Sequence, residues 1–345
     1  MPDAASTWLP EHDPTVARVL AHEYGLGTHQ VWSLDRESVN TVWRVTAPNG
    51  QYALKRLGRD ISPQWLAFEQ AALPRLSAAG IPLAAPVPTA RGHNSAVHDG
   101  SMWQLRPWRQ GRAFDAASPG DIEQAGAFLS ALHRVPVGRL PADGHSSTRN
   151  VEFWLATERP AHAALDEVDE IAAPHVSAAV RADARRAYAA VLGRARAELT
   201  GYGALPEVLT HGEIAGSNLL YSDSGELTCV LDWDALQLRP RVYDVARALL
   251  FLSRQARGSF RIHAARARTV LDASTAHQPL TPDEVGCLIP VLELNFVPSP
   301  GYLRQVARRA PGILEWYLRW RAEGAVTVRG ILSDLVATTA QGTRR

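Results

Sequence analysis

Residues 209–234 constrain this chain more than any other stretch. They read Leu209-Thr210-His211-Gly212-Glu213-Ile214-Ala215-Gly216-Ser217-Asn218, then a short hairpin, then Leu231-Asp232-Trp233-Asp234. Leu219-Leu220-Tyr221 reads as one strand and Leu227 to Leu231 as its return. Ser222-Asp223-Ser224-Gly225-Glu226 is the polar turn between them. A hairpin sets the start of its first strand beside the end of its second, so Asn218 and Asp232 converge on one point. An amide oxygen and a carboxylate, with room left for water and phosphate oxygens, suit Mg²⁺. The competing reading is a pair of turn-capping side chains. Glu213 lies five residues before Asn218, on the loop entering the hairpin, where a carboxylate can receive a proton. A base, two metal-binding groups and their scaffold in one short segment point to phosphoryl transfer.

Composition adds one sharp fact. Among 36 basic residues, Lys55 is the only lysine. An arginine-favouring codon bias with one survivor would explain it. So would a position that needs a compact ammonium, which the broad planar fork of arginine cannot replace. With 35 acidic residues the net charge is near zero, which gives no overall drive toward nucleic acid or an anionic membrane. The two cysteines, Cys229 and Cys287, lie in apolar surroundings without metal-ligand spacing and read as buried thiols of a reducing compartment. No charged start followed by an apolar run opens the chain, and no apolar stretch reaches membrane-spanning length. The expectation is a soluble cytoplasmic protein.

Along the chain, Pro14 to Tyr24 reads as a short helix. Thr41 to Val45 alternates as a strand, Asn49-Gly50 is a hairpin turn, and Gln51 to Leu57 is the return. Lys55 then shares a face with Ala53 and Leu57, an unusual place for a lysine unless it points into a cleft. Pro63 to Ala79 has helical spacing in Trp65, Phe68, Ala72 and Leu76, with Glu69 on the margin of that face. A second hairpin turns at Asp99-Gly100 into Ser101 to Leu105, after which Arg106 to Gly111 breaks the pattern. Beyond it the chain is helical: a helix from Pro119 to near His133, two or three over 150–200, one from Pro240 to Ser253, and others over 257–273, 282–296, 301–309 and 312–335. The hairpin at 219–231 is the one strand pair expected in this half. The expected architecture is α+β and two-lobed: a β-rich N-terminal lobe over 1–105, a connector over 106–111 and a mainly helical C-terminal lobe over 112–345.

The motif resembles the aminoglycoside phosphotransferase and choline kinase group of small-molecule kinases, which includes type II homoserine kinases. Their pattern is His-Gly-Asp, four residues, Asn, a hairpin ending in Ile-Asp-Trp or similar, and a Tyr-Asp-Leu-Ala type helix. This sequence supplies His211-Gly212, Asn218, Leu231-Asp232-Trp233 and Tyr243-Asp244-Val245-Ala246. The resemblance covers roughly residues 30–255 and implies a protein-kinase-like fold. It also implies an ATP- and Mg²⁺-dependent transfer of phosphate to a small-molecule hydroxyl. Asn218 and Asp232 would be the metal ligands, and Lys55, held by Glu69, would meet the nucleotide phosphates. Glu69 otherwise reads as an ordinary solvated helix residue. Ser38 and Asn40 occupy the phosphate-covering turn, although such a turn occurs widely. His211 and Asp244 would brace the loop rather than react. The missing Gly-rich loop and Ala-Pro-Glu element set the chain apart from typical protein kinases.

One position departs from the pattern: the catalytic Asp of the family is Glu213 here. The two acids have similar acidity, but one extra methylene moves the carboxylate by roughly 1 Å, a displacement that can cost about 10²-fold in rate. Either the loop is reshaped so that Glu213 serves as base, or the chain is a catalytically impaired nucleotide-binding relative with a regulatory role, or an Asp→Glu change has entered the sequence. The acceptor leaves a fainter trace. From residue 251 onward there are 13 Arg against 7 acidic residues, which disfavours a polycationic acceptor. A neutral sugar, an amino alcohol or an anionic metabolite fits better. Trp316, Tyr317 and Trp320 could line its pocket, although that spacing is more usual in a core.

Overall fold

The computed structural model describes residues 8–27, 29–34, 39–58, 61–144 and 149–342. Ser38 falls outside them. The N-terminal half opens with β1 (Trp8–Pro10), α1 (Pro14–Tyr24), β2 (Gln30–Leu34), β3 (Thr41–Ala47), β4 (Gly50–Leu57) and α2 (Pro63–Ala78). It continues with β5 (Ala96–His98) and β6 (Ser101–Pro107). The strands form one antiparallel sheet in the order β1-β2-β3-β4-β6-β5. β1 was not legible in the sequence, and β6 runs two residues past Leu105 into the expected connector. Asp99 and Gly100 both adopt positive φ (48° and 68°), the conformation that a two-residue hairpin requires of its central pair.

Cross-strand pairing sorts the sheet into two faces. Trp43, Leu54 and Trp103 lie on one with Arg56, whose guanidinium covers both Trp rings. That face is packed by Val16, Val19 and Leu20 of α1 into a small core. Val42, Lys55 and Gln104 form a row on the other face. The helix α2 does not belong to the small core. Trp65, Phe68, Ala72 and Leu76 join the core of the C-terminal half, and the Trp65 indole donates to the carbonyl of Leu236 at 3.0 Å.

The rest of the chain comprises β7 (Arg112–Ala113), α3 (Pro119–Leu132), α4 (Asn150–Ala156), α5 (Ala161–Ala172), α6 (Ala178–Glu198), β8 (Glu207–Thr210), β9 (Leu219–Tyr221), β10 (Leu227–Val230) and β11 (Gln237–Pro240). Five further helices follow: α7 (Val242–Phe251), α8 (Ala264–Thr275), α9 (Pro282–Asn295), α10 (Pro300–Arg309) and α11 (Leu314–Gly342). The hairpin β9–β10 forms as expected, but two other pairings accompany it. β7 pairs with β9, and β11 pairs with β8. The β11 pairing delays the helix expected from Pro240 until Val242, because Gln237–Pro240 is drawn out as a strand against β8. The helix expected over 257–273 starts only at Ala264. The preceding residues fold back instead, with Gln255 N–H donating to the Arg261 carbonyl at 2.8 Å. A β-sheet N-terminal part and a helical C-terminal part make the two-lobed, kinase-like α+β fold. Among the described residues no helix is long and apolar enough to cross a membrane, and Cys229 and Cys287 are buried free thiols.

Candidate active site

Lys55 sits in the middle of β4, and its side chain leaves the inner sheet face toward the turn after β10. Its ammonium lies 2.5 Å from Asp232 Oδ1 and 2.6 Å from Asp234 Oδ2. The side chain is only 13% exposed. Burial alone would lower its pKa, but the two carboxylates outweigh that effect and hold it above the ordinary lysine value, so the ammonium stays charged. A compact three-donor head meets two carboxylates in little space, where the broad planar head of arginine would have a different geometry.

Asp232 reaches this position through its backbone. With φ 64° and ψ 58° it is left-handed, and apart from Asp99 it is the only such non-glycine among the described residues. Such a conformation costs about 1–3 kcal/mol and persists where the surroundings over-determine it. Here Leu231 N–H donates to the Asn218 carbonyl at 2.8 Å, which clamps the end of the hairpin beside its start. The Asn218 amide donates to the Glu213 carbonyl at 3.0 Å, and this fixes which end of the amide is its oxygen. Asn218 and Asp232 are thereby brought together, as the hairpin argument expects.

Glu213 is half-buried, and its backbone is held on both sides. Its carbonyl takes the Asn218 amide and its N–H donates to His211 Nδ1 at 3.2 Å. With Nδ1 accepting, the His211 proton belongs on Nε2, which lies 2.9 Å from the Leu231 carbonyl. The ring is fully buried and packs edge-on to Trp233. Asp244, at the first turn of α7, accepts from His211 N–H at 2.7 Å and Gly212 N–H at 2.9 Å. Burial opposes its charge, yet the hydrogen bond and charge of His133, with His211 and the Gly212 amide, hold its carboxyl below the usual range. Gly212 must be glycine. Its φ is +76°, and a Cβ there would lie 2.5 Å from the Ala235 carbonyl oxygen.

One expectation changes at this point, and one residue left open finds its partners. Glu69 does not hold Lys55. It is fully buried on α2, ion-paired to Arg106 at 2.9 Å and doubly hydrogen-bonded by the Gln104 amide. Arg106 and Gln104 stand on β6 beside the Lys55 row and reach the carboxylate first, while Lys55 is drawn across to Asp232 and Asp234. Burial pushes the Glu69 carboxyl up, and Arg106 and Gln104 pull it back only in part. The residue that sequence reasoning left unassigned is Asp234. It is 2% exposed, paired with Lys55, and accepts from the Asn40 amide at 2.9 Å. Asn40 uses its other end to accept from Gly58 N–H at 2.9 Å, so the end of the β2–β3 turn is tied to both halves of the site. The available signal was two carboxylates flanking one tryptophan, in a chain with one lysine.

Taken together, one ammonium faces two carboxylates, with an oriented amide and a third carboxylate on the adjoining loop. The set suits binding of a cation with an anionic ligand and transfer of a proton. The sequence over residues 33–280 matches the phosphotransferase enzyme family APH. A homoserine kinase of Caulobacter vibrioides is 24% identical over 270 residues, spanning 78% of this chain and 79% of that protein. In fold, the chain is similar to a microcompartment-associated aminopropanol kinase (TM-score 0.67, 17% identity, 93% of this chain and 98% of the other). It is likewise similar to the spectinomycin phosphotransferase APH(9)-Ia in complex with ADP and spectinomycin (TM-score 0.58, 13% identity, 97% and 99%). The chain belongs to the APH phosphotransferase enzyme family, and is a kinase that phosphorylates a hydroxyl group of a small molecule.

Proposed function

We propose that the chain transfers the γ-phosphate of ATP to a small-molecule hydroxyl with Glu213 as general base and Mg²⁺ as cofactor. The observation that carries this reading is the Lys55–Asp232–Asp234 cluster beside the Asn218–Glu213 loop. Among the described residues one positive and two negative side chains meet here, an arrangement that favours a polyphosphate arriving with a divalent cation. The donor set fits such an ion: the Asp232 carboxylate is about one-third exposed and the Asn218 amide oxygen is oriented by the bond from its nitrogen to Glu213. Asn218 and Asp232 would hold Mg²⁺, which when bound neutralises charge on the phosphates. The spectinomycin phosphotransferase, which holds ADP, supports a nucleotide in the same fold.

The chain's own residues then have definite tasks. Lys55 leaves its carboxylates to meet phosphate oxygens, and Asp234 and Asn40 hold the strand and turn from which it reaches. Glu69 positions the inner sheet face through Arg106 and Gln104. Glu213 takes the proton of the acceptor hydroxyl as that oxygen bonds to the γ-phosphorus and the bond to the ADP oxygen breaks. His211 and Asp244 keep the loop backbone in place. Glu213→Gln keeps the shape but cannot take a proton, so turnover should fall at least about 10²-fold with nucleotide binding unchanged. Glu213→Asp should not help, because the loop is fitted to the longer side chain. The assay is ADP release with a panel of hydroxylated compounds. A silent wild type rescued by Asp would instead identify a disabled relative.

A further inference from the structure

We propose that the acceptor of this kinase carries a carboxylate, received by Arg247 and Arg321 beside the phenol of Tyr317. The proposal rests on the phosphotransferase reading and concerns the end of the acceptor away from the reacting hydroxyl.

The starting point is α7, whose first turn anchors the loop of Glu213 through Asp244. Successive turns of this helix bring Tyr243, Arg247 and Phe251 onto one face. Arginines alternate with the rings. The Arg239 guanidinium lies 4.2 Å from the Tyr243 centroid, and that of Arg247 lies 5.9 Å from Tyr243 and 4.8 Å from Phe251. The Tyr243 hydroxyl donates to Asn295 Oδ1 at 2.8 Å, and the Asn295 carbonyl accepts from Arg321 Nη1 at 2.6 Å. Arg321 in turn lies 4.6 Å from the Tyr317 ring, one helical turn before it on α11. Arg247 and Arg321 are thus linked through the Tyr243–Asn295 pair.

Charge is what this cluster lacks. Elsewhere in the protein, buried arginine–carboxylate contacts are closed: Arg241 binds Glu284, Arg106 binds Glu69, and Arg329 binds Glu293. Arg239 has Glu152 at 3.1 Å. Arg247 and Arg321 enter no ion pair among the described residues, although Arg321 is only 9% exposed. A buried cation without a counter-charge is costly, and among the described residues Arg321 is met only by the Asn295 carbonyl and the faces of Tyr302 and Tyr317. Polar atoms agree. Arg247 Nε and Arg321 Nε are buried without a hydrogen-bond partner, and the Tyr317 hydroxyl, in a residue 8% exposed, lies beside the Arg321 guanidinium. Burial keeps that phenol protonated, hence a donor. Two guanidinium donors without an acceptor, with a phenol beside them, are complementary to an acceptor-only group, which describes a carboxylate. A guanidinium donates to such a group bidentately.

The test uses alcohols that differ only in charge: a chain-length series of ω-hydroxy carboxylates and para-(hydroxymethyl)benzoate, each beside its amide and its amine. Binding is measured by calorimetry on the full chain without nucleotide, and ADP release is measured separately. At least one acid should bind tenfold or more tighter than its amide. Arg247→Gln should remove that preference while the affinities for the amide and for ATP stay put, and Arg247→Lys should restore part of it. Arg247 is the partly exposed member of the pair, so its variants carry the result even if Arg321→Gln fails to fold. Equal binding of acid and amide, preference for the amine, no binding by any acid, or an acid affinity that Arg247→Gln leaves unchanged would each overturn the proposal. Acid binding that depends on Arg247 without any ADP release would uphold this site and count against the transferase reading alone.

Discussion

A single ammonium between two carboxylates is the most demanding arrangement in this molecule, and it gives a physical reason for lysine at position 55 in a chain whose other Lys and Arg positions are all arginine. Lys55→Arg preserves charge but enlarges and flattens the head in a space where the contacts are 2.5 and 2.6 Å. The variant should fold with an unchanged circular dichroism spectrum, yet kcat/KM for the nucleotide should fall roughly 10²-fold, the penalty typical of a misplacement of about 1 Å. Unchanged turnover would make Lys55 a bystander. The same residues mark how far the sequence could be read. Lys55, Asn218 and Asp232 were legible because their types are rare or their spacing is set by a hairpin. Asp234 was not, because one covalent step from Trp233 gives no direction: only the left-handed backbone of Asp232 turns the next carboxylate back toward the lysine. Glu69 was misassigned for a similar reason. Helix position says which face a carboxylate is near, but not which of two neighbouring cations reaches it first.

At the scale of elements, hairpins with strong turn signals were legible and short strands without them were not. The Asn49-Gly50 and Asp99-Gly100 turns carry their own chemistry. The pairing of β8 with β11 joins segments 27 residues apart and is decided by the core beneath. The site depends on such non-local contacts. Gly58, just after β4, lets the end of the β2–β3 turn lie against it, because a Cβ there would stand 1.6 Å from the Val39 carbonyl oxygen. That backbone cannot give way without pulling Asn40 off both Gly58 and Asp234. Gly58→Ala should therefore weaken nucleotide binding as much as Asn40→Ala does, and the double variant should be no worse than either alone, because both remove one coupled contact. Additive losses in calorimetric affinity would show that Gly58 matters only for local packing.

Over the whole molecule, the small core beneath the sheet and the large core meet through few covalent links, and α2 belongs to the larger one. Its Trp65 donates to Leu236 in the turn that follows Asp234, and Val230 N–H donates to the Pro82 carbonyl at 2.7 Å just beyond the helix. The sheet thus approaches the hairpin through side chains, Lys55 with Asp232 and Asp234 and Asn40 with Asp234, whereas α2 is tied down by backbone acceptors. A nucleotide held between Lys55 on one side and Asn218 and Asp232 on the other would bridge both cores and stabilise the whole chain by mass action. At free ligand about 100 times Kd the gain is about 2.7 kcal/mol, enough to raise Tm by roughly 5 °C. Nearly all of that gain should require Mg²⁺, because two carboxylates face the phosphate site and a cation between them and the polyphosphate relieves their repulsion. Removing the ion with a chelator should return Tm to the ligand-free value. Asp232→Ala gives the decisive comparison: it takes away the proposed metal ligand and a carboxylate partner of Lys55, so ATP should bind it equally with and without Mg²⁺. If thermal scans of the variant still show a magnesium-dependent rise as large as in the wild type, Asp232 does not hold the ion.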